Sequence, residues 1–180
     1  MPKRLSCGKE NNMRILIKDV IANGDKKPVL VTRETKLYKD LEKLESPQDV
    51  VRIMTDVFDI DKAVAEQVYI IALDCKKKPL AFFFVNQGTI DNSLVDIRGI
   101  FMRLLLTNAA KFILIHNHPS GDPFPSAPDY SVTRKLKELS PIMGIEFSDH
   151  IIIASEDGIV KHHSFFQHLW KKKTDGSESE

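Results

Sequence analysis

The spacing of hydrophobic residues changes several times along the chain, and each spacing predicts a different element. Short apolar runs and strict alternation are typical of strands, whereas apolar residues that recur every three or four positions are typical of helices. Two alternating segments flank Asn23-Gly24, a pair of residues that favours a tight hairpin turn. The pattern predicts strands over 13–21, 29–37, 67–73, 80–85, 111–115, 150–154 and 159–161, and helices beginning near 46, near 97 and, after a proline-rich loop, before 132.

These elements follow the order ββαββαβαββ, which predicts an α/β fold in which helices cover a mixed β-sheet. The hairpin, within 13–45, is expected to be an N-terminal extension of one domain over 46–168. Residues 1–12 and 169–180 carry too few apolar side chains to offset the entropy of ordering them. We therefore expect a disordered tail over 1–12 and a charged C-terminal tail over 169–180.

Composition narrows the class of protein. With 180 residues, of which 42% are apolar, the chain is long enough for one domain with a true core. The 26 Lys and Arg residues nearly balance 25 Asp and Glu residues, which argues against broad binding to nucleic acid or to an anionic membrane. The two cysteines exclude a disulfide framework and a thiolate zinc site. No apolar run approaches the roughly 18 residues of a membrane span, so we expect a cytoplasmic protein with no membrane partner.

The candidate chemistry lies where the predicted strand over 111–115 runs into His116-Asn117-His118. Histidines at i and i+2 of an extended chain project to the same side, so both imidazoles can reach one ion. Asp129 follows in the first turn of the third predicted helix, and the intervening loop can fold back to supply it as a third ligand. Two histidines and one carboxylate, with a fourth position open, are typical of catalytic zinc. Manganese and iron also accept such nitrogen and oxygen ligands.

A hydrolytic metal site also needs a base and a donor to the oxyanion. Glu66, directly before the buried strand at 67, is our candidate base. Spacing alone distinguishes it poorly from the other acidic residues, since the chain has 25 Asp and Glu residues in all. Ser126 is the candidate oxyanion donor. The Ser126-to-Asp129 segment also reads as a capping box, which needs only an acid at its last position. His150 is either a partner of a metal ligand or a hydrogen-bonded structural histidine.

The stretch at 116–129 reads His-Asn-His-Pro-Ser-Gly-Asp-Pro-Phe-Pro-Ser-Ala-Pro-Asp. It resembles the signature of the RadC-like branch of the JAB/MPN metal-dependent hydrolases, which share the metalloprotease motif Glu…His-x-His-x7-Ser-x2-Asp. Segments 88–95, 106–110 and 149–153 are similar to family segments too, so that the resemblance covers roughly 46 to 163. Relatives commonly have His-Pro-Arg-Glu where this chain has Asp-Ile-Arg-Gly at 96–99, a segment that bears on the substrate groove. Longer relatives carry a helix-hairpin-helix module where this sequence predicts the strand hairpin.

The resemblance implies a fold, a metal and a role for each residue of the motif. The fold would be a three-layer α-β-α sandwich like that of the cytidine deaminases. One Zn²⁺ would be bound by His116, His118 and Asp129, with Glu66 as the base that activates water and Ser126 as the oxyanion stabiliser.

The function that these residues favour is a zinc-dependent metallopeptidase or isopeptidase-like hydrolase acting on a peptide or protein substrate. A non-enzymatic RadC-like module in DNA repair or mobile-element metabolism is an alternative, although the balanced charge gives it no electrostatic support. A metal-dependent phosphodiesterase is another, since an open zinc site can perform that chemistry as well. A zinc nucleotide deaminase is excluded because His-x-Glu and Pro-Cys-x-x-Cys are both missing.

Overall fold

The computed structural model describes residues 12–39, 41–88 and 96–167. The predicted tails at 1–12 and 169–180 lie outside these residues, apart from Asn12, and so does most of the family-like segment 88–95. The described elements follow the predicted order, with a short 3-10 helix, Ile60–Lys62, added after the first helix. They are strands β1 Met13–Ala22, β2 Pro28–Tyr38, β3 Gln67–Leu73, β4 Pro79–Gln87, β5 Lys111–His118, β6 Glu146–Glu156 and β7 Ile159–Ser164, and helices α1 Pro47–Phe58, α2 Ile97–Leu106 and α3 Ala127–Met143.

All seven of these strands belong to one mixed sheet in the order β2-β1-β4-β3-β5-β6-β7. The predicted hairpin is present as β1 and β2, which pair antiparallel. Strand β1 also pairs parallel with β4, at Ile17 opposite Phe82, and Met13 and Ile15 are buried in the core. The hairpin therefore widens the sheet of the domain and is continuous with it.

Side chains on the two faces of the sheet form two separate cores. On one face, α1 and the 3-10 helix cover β-strand residues such as Ile71 and Ile113. On the other face, α2 and α3 cover residues such as Ile70 and Leu114. Because neighbours along β3 and β5 alternate between the two cores, both strands are buried on both faces. The arrangement confirms the predicted α/β fold, with the sheet as the middle of three layers.

Local sequence explains where α1 and α3 begin. Each starts with a complete capping box, made by Ser46 with Asp49 in α1 and by Ser126 with Asp129 in α3. Helix α3 ends at Gly144, whose φ of 67° is the left-handed conformation that glycine adopts without strain. Among the described residues, no helix combines the length and the apolar character needed to cross a membrane.

Every strand except β3 is longer than the sequence predicts, and the extensions of β5 and β6 bear on the candidate site. Strand β5 continues through His118, so both histidines of the motif lie inside the sheet. Strand β6 begins at Glu146, before the predicted start at 150, because buried polar residues near its beginning interrupt the hydrophobic pattern. Buried Asp149, for example, accepts hydrogen bonds from the backbone nitrogens of His150 at 2.7 Å and Phe166 at 3.0 Å, which makes its burial tolerable.

Candidate metal centre

Three residues of the motif meet where β5 ends and α3 begins. One ligand atom from each of His116, His118 and Asp129 lies within 4.8 Å of the others. The two histidine Nε2 atoms are 3.0 Å apart, and His116 Nε2 is 3.1 Å from Asp129 Oδ1. The structure therefore brings together the three residues that the sequence predicts as ligands; their binding of metal stays a prediction.

Burial makes this cluster suitable for a cation. The side chains of His116 and Asp129 are 0% and 1% exposed, and that of His118 is 12% exposed. Among the residues that the structure describes, buried Asp129 Oδ1 makes no hydrogen bond. A buried carboxylate oxygen without a partner is costly, and a divalent cation between it and two imidazole nitrogens would satisfy it. The donor set thus fits zinc.

The capping box sets the orientation of the Asp129 carboxylate. Its Oδ2 accepts hydrogen bonds from the Ser126 backbone nitrogen at 2.7 Å and from the Ser126 hydroxyl at 2.5 Å. This leaves Oδ1 directed at His116. The helix-cap and the ligand interpretations of Asp129 are therefore compatible, because each uses a different oxygen. The predicted role of Ser126 as oxyanion donor stays a prediction, and it requires the hydroxyl proton to leave Asp129.

The loop after β5 orients His118. The Nδ1 atom of His118 lies 2.8 Å from the carbonyl oxygen of Asp122. A carbonyl only accepts, so this contact places the ring proton on Nδ1 and leaves the Nε2 lone pair for a metal. The loop reaches this position through Gly121, whose φ is 84° and whose backbone nitrogen donates to the His118 carbonyl at 3.2 Å.

The orientation of His116 involves a second histidine. Its Nδ1 lies 2.9 Å from Nε2 of His150, which is fully buried in β6. The structure thus places His150 against a candidate ligand. Of the two interpretations that the sequence leaves open for His150, the partner of a candidate ligand is the one that this contact favours.

The electrostatics of the cluster favour an ionised Asp129 carboxylate, a neutral His116 and a more basic His118. Burial alone would raise the pKa of Asp129, but the contacts with His116 and His118 outweigh it and hold that pKa well below its usual range. Burial lowers the pKa of His116 despite the nearby carboxylate. Burial also opposes protonation of His118, but Asp129 and the Asp122 carbonyl outweigh it and raise the His118 pKa.

Glu66 lies directly before β3, which is paired with β5. Val68 is directly opposite His116, so Glu66 precedes this pair by two residues and belongs to the same end of the sheet. Its negative charge contributes to the raised pKa of His118 and partly offsets the effect of burial on the pKa of His116. The geometry is consistent with the predicted base, and that role remains a prediction.

Asn117 is a residue that sequence reasoning did not single out. Because strand residues alternate, it faces away from the two histidines on either side of it. Its buried carboxamide accepts from the Gln67 backbone nitrogen at 2.7 Å and donates to the carbonyls of Ala65 at 3.2 Å and Ala63 at 3.4 Å. Asn117 therefore ties down the segment that carries Glu66. No local signal reveals this, because the partners are 50 or more positions away.

A cavity of about 320 Å³ opens beside His118. It is lined by the 3-10 helix, by Ala63 and Val64, and by the end of β6. The segment 96–99, where the sequence departs from its relatives, lies elsewhere, because Ile97 and Arg98 line an apolar groove between α2 and α3. The segment 96–99 is therefore not part of the lining of the cavity beside His118.

Comparison with known proteins finds relatives of this chain. The sequence profile of the RadC-like JAB domain matches residues 44–169. A UPF0758 protein of Clostridium acetobutylicum is 39% identical over 127 residues, which are 69% of this chain and 53% of that protein. A UPF0758 protein of Clostridium perfringens is 40% identical over 111 residues, or 62% of this chain and 48% of the relative. The chain spans about half the length of these curated relatives.

Proposed function

This chain belongs to the RadC-like JAB family, and on that premise we propose that it is a zinc-dependent hydrolase of peptide or isopeptide bonds. Domains of this family are commonly metal-dependent hydrolases. The choice of an amide substrate rests on the metalloprotease motif, which the chain reproduces from Glu66 to Asp129.

One observation carries the proposal. Asp129 Oδ1 is buried, accepts no hydrogen bond from the described residues, and lies 3.1 Å from the Nε2 atom of an equally buried histidine. A purely structural hydrogen-bond network rarely leaves such an oxygen, since unsatisfied buried acceptors are rare in folded proteins. A site shaped for a cation explains it directly.

Each residue of the site has a defined task in this proposal. His116, His118 and Asp129 would hold the metal, and His118 is the most exposed of the three. A bound zinc supplies Lewis acidity, which polarises a carbonyl and lowers the pKa of water to about 7. Glu66 accepts a proton from water and returns it to the leaving amine. Ser126 orients Asp129 through its hydroxyl, and the same hydroxyl would stabilise an oxyanion once its proton turns away from Asp129.

Substitution of the base tests the proposal. Glu66→Gln keeps the size of the side chain and removes its ability to accept a proton, so turnover should fall by about 100-fold or more while zinc content is unchanged. Glu146→Gln is a matched control, because Glu146 pairs with Lys111 at the opposite end of β5 from the histidines. The assay follows peptides, isopeptide-linked peptides and phosphodiesters with zinc-loaded protein.

The outcomes separate the alternatives. Cleavage of an amide substrate by the wild type and by Glu146→Gln, but not by Glu66→Gln, supports the proposal. Full turnover in Glu66→Gln would remove Glu66 from its role. Cleavage of phosphodiesters alone would indicate a phosphodiesterase and reject the amide substrate. Zinc-loaded protein that cleaves neither kind of bond would favour the non-enzymatic alternative.

A further inference from the structure

A chain of buried polar side chains leads from α3 to His116. The Thr133 hydroxyl lies 2.7 Å from the backbone carbonyl oxygen of Asp129 and 2.6 Å from Nδ1 of His150. Nε2 of His150 then lies 2.9 Å from Nδ1 of His116. All of these groups are buried, and Thr133 is the most exposed of the three side chains at 6%. Each contact has the length of a true hydrogen bond.

The direction of every proton in this chain follows from its first contact. A backbone carbonyl only accepts, so the Thr133 hydroxyl must donate its single proton to Asp129 O. The same oxygen must then accept from His150, which places a proton on His150 Nδ1. A neutral imidazole has one ring proton, so His150 Nε2 is the acceptor and His116 Nδ1 is the donor. The Nε2 atom of His116 is left with its lone pair toward His118 and Asp129.

We propose that Thr133 and His150 are positioning residues that fix His116 in the tautomer able to bind metal through Nε2. The inference deepens the proposed function and rests on it, because a tautomer matters here only if His116 is a ligand. His118 obtains the same tautomer more simply, from the Asp122 carbonyl. At His116, the neighbour of Nδ1 is the imidazole of His150, which can either donate or accept a hydrogen bond. Thr133 is the group that removes this ambiguity.

Packing holds His150 in the position that the relay requires. Phe165 stacks on the His150 ring with centroids 4.8 Å apart and an interplanar angle of 7°. The backbone nitrogen of Phe165 donates to the His150 carbonyl at 3.0 Å. The ring is therefore confined between Phe165 and the hydrogen-bonded neighbours at its two nitrogens.

Removal of the Thr133 hydroxyl tests the proposal. Thr133→Val preserves the shape of the side chain and deletes the acceptor of the His150 proton, whereas Thr133→Ser retains the hydroxyl. Ser140→Ala is the matched control, because Ser140 is a buried hydroxyl of the same helix that donates to the Leu136 carbonyl at 2.6 Å. Zinc affinity is measured by competition with a chromophoric chelator. Two-bond ¹H–¹⁵N NMR of the zinc-loaded protein identifies which ring nitrogen of each histidine carries a proton.

We expect the wild type to show protons on Nδ1 of His116 and of His150. Thr133→Val should lower zinc affinity by about 10- to 100-fold, as loss of a group supporting a metal ligand typically does, with Thr133→Ser and Ser140→Ala near wild type. A proton on Nε2 of His150 in the zinc-loaded wild type would overturn the inference without any variant. Equal zinc affinity in Thr133→Val and wild type would overturn it too. Failure of the wild type to bind zinc would instead reject the proposed function, and the inference with it.

Discussion

The buried carboxamide of Asn117 makes a prediction that links stability to catalysis. Asn117→Ala removes three hydrogen bonds, two of them at 2.7 and 3.2 Å and the third at 3.4 Å, which is marginal. At about 1 kcal/mol net for each of the two better bonds, the free energy of unfolding should fall by about 2 kcal/mol. The loss should stay below the full cost of burying unpaired groups, because Ala65 and Gln67 are only half-buried residues.

The same substitution should uncouple the base from the metal ligands. His116 and His118 are oriented by His150 and Asp122, so zinc affinity should be unchanged in Asn117→Ala. Turnover should fall by about 10- to 100-fold, because the segment carrying Glu66 is released and a displaced catalytic group is costly. Urea unfolding of the metal-free protein measures the first effect, and steady-state kinetics of the zinc-loaded protein measures the second.

Asn86→Ala provides the control, since Asn86 is a half-buried asparagine of β4 whose carboxamide accepts from the next residue, Gln87. It should leave turnover unchanged. A loss of less than about 0.5 kcal/mol in the free energy of unfolding of Asn117→Ala, together with normal turnover, would show that Asn117 does not hold the segment carrying Glu66. Changes of that size are typical of surface substitutions.

Three further predictions concern the groups that orient the ligands. Gly121→Ala should cost about 1–3 kcal/mol in urea unfolding, because the residue has a φ of 84° and an added Cβ would lie 3.3 Å from the Ser155 carbonyl; unchanged stability would contradict this. Ser126→Ala should cost about 1 kcal/mol as a lost helix cap and weaken zinc binding about tenfold in chelator competition, whereas a residue acting only on the oxyanion would leave zinc affinity unchanged. Protons compete with zinc for the histidine lone pairs, and the raised pKa of His118 means that this competition begins above the ordinary value of 6.5. Zinc affinity measured from pH 7.5 down to pH 5 should therefore fall about tenfold per unit once His118 protonates, and a flat profile would contradict the assignment.

The parts of the site that could be predicted from sequence depend on short-range geometry. The two-residue repeat of a strand places His116 and His118 on one side, and the three-residue spacing of a capping box places Asp129 in the first turn of α3. Both relations hold within one element, so local spacing determines them.

The supporting residues could not be found in this way, because their partners are brought together only by the sheet. Asn117 acts on residues across β3, and His150 reaches His116 because β6 pairs with β5. The start of β6 was predicted too late for a similar reason. Its buried polar residues interrupt the hydrophobic pattern, and their burial is explained only by hydrogen bonds such as that from the Ser164 hydroxyl to Asp149 at 2.5 Å.

The proposed function depends on metal binding by His116, His118 and Asp129. Its most direct test is the zinc content of protein equilibrated with a small excess of zinc and then dialysed, measured by elemental analysis. The wild type should retain about one zinc per chain, and His118→Ala should retain almost none, since a catalytic zinc site has only three protein ligands. His162→Ala, which removes a half-buried histidine of β7 outside the cluster, should retain as much as the wild type. Equal zinc in the wild type and in His118→Ala would contradict the account.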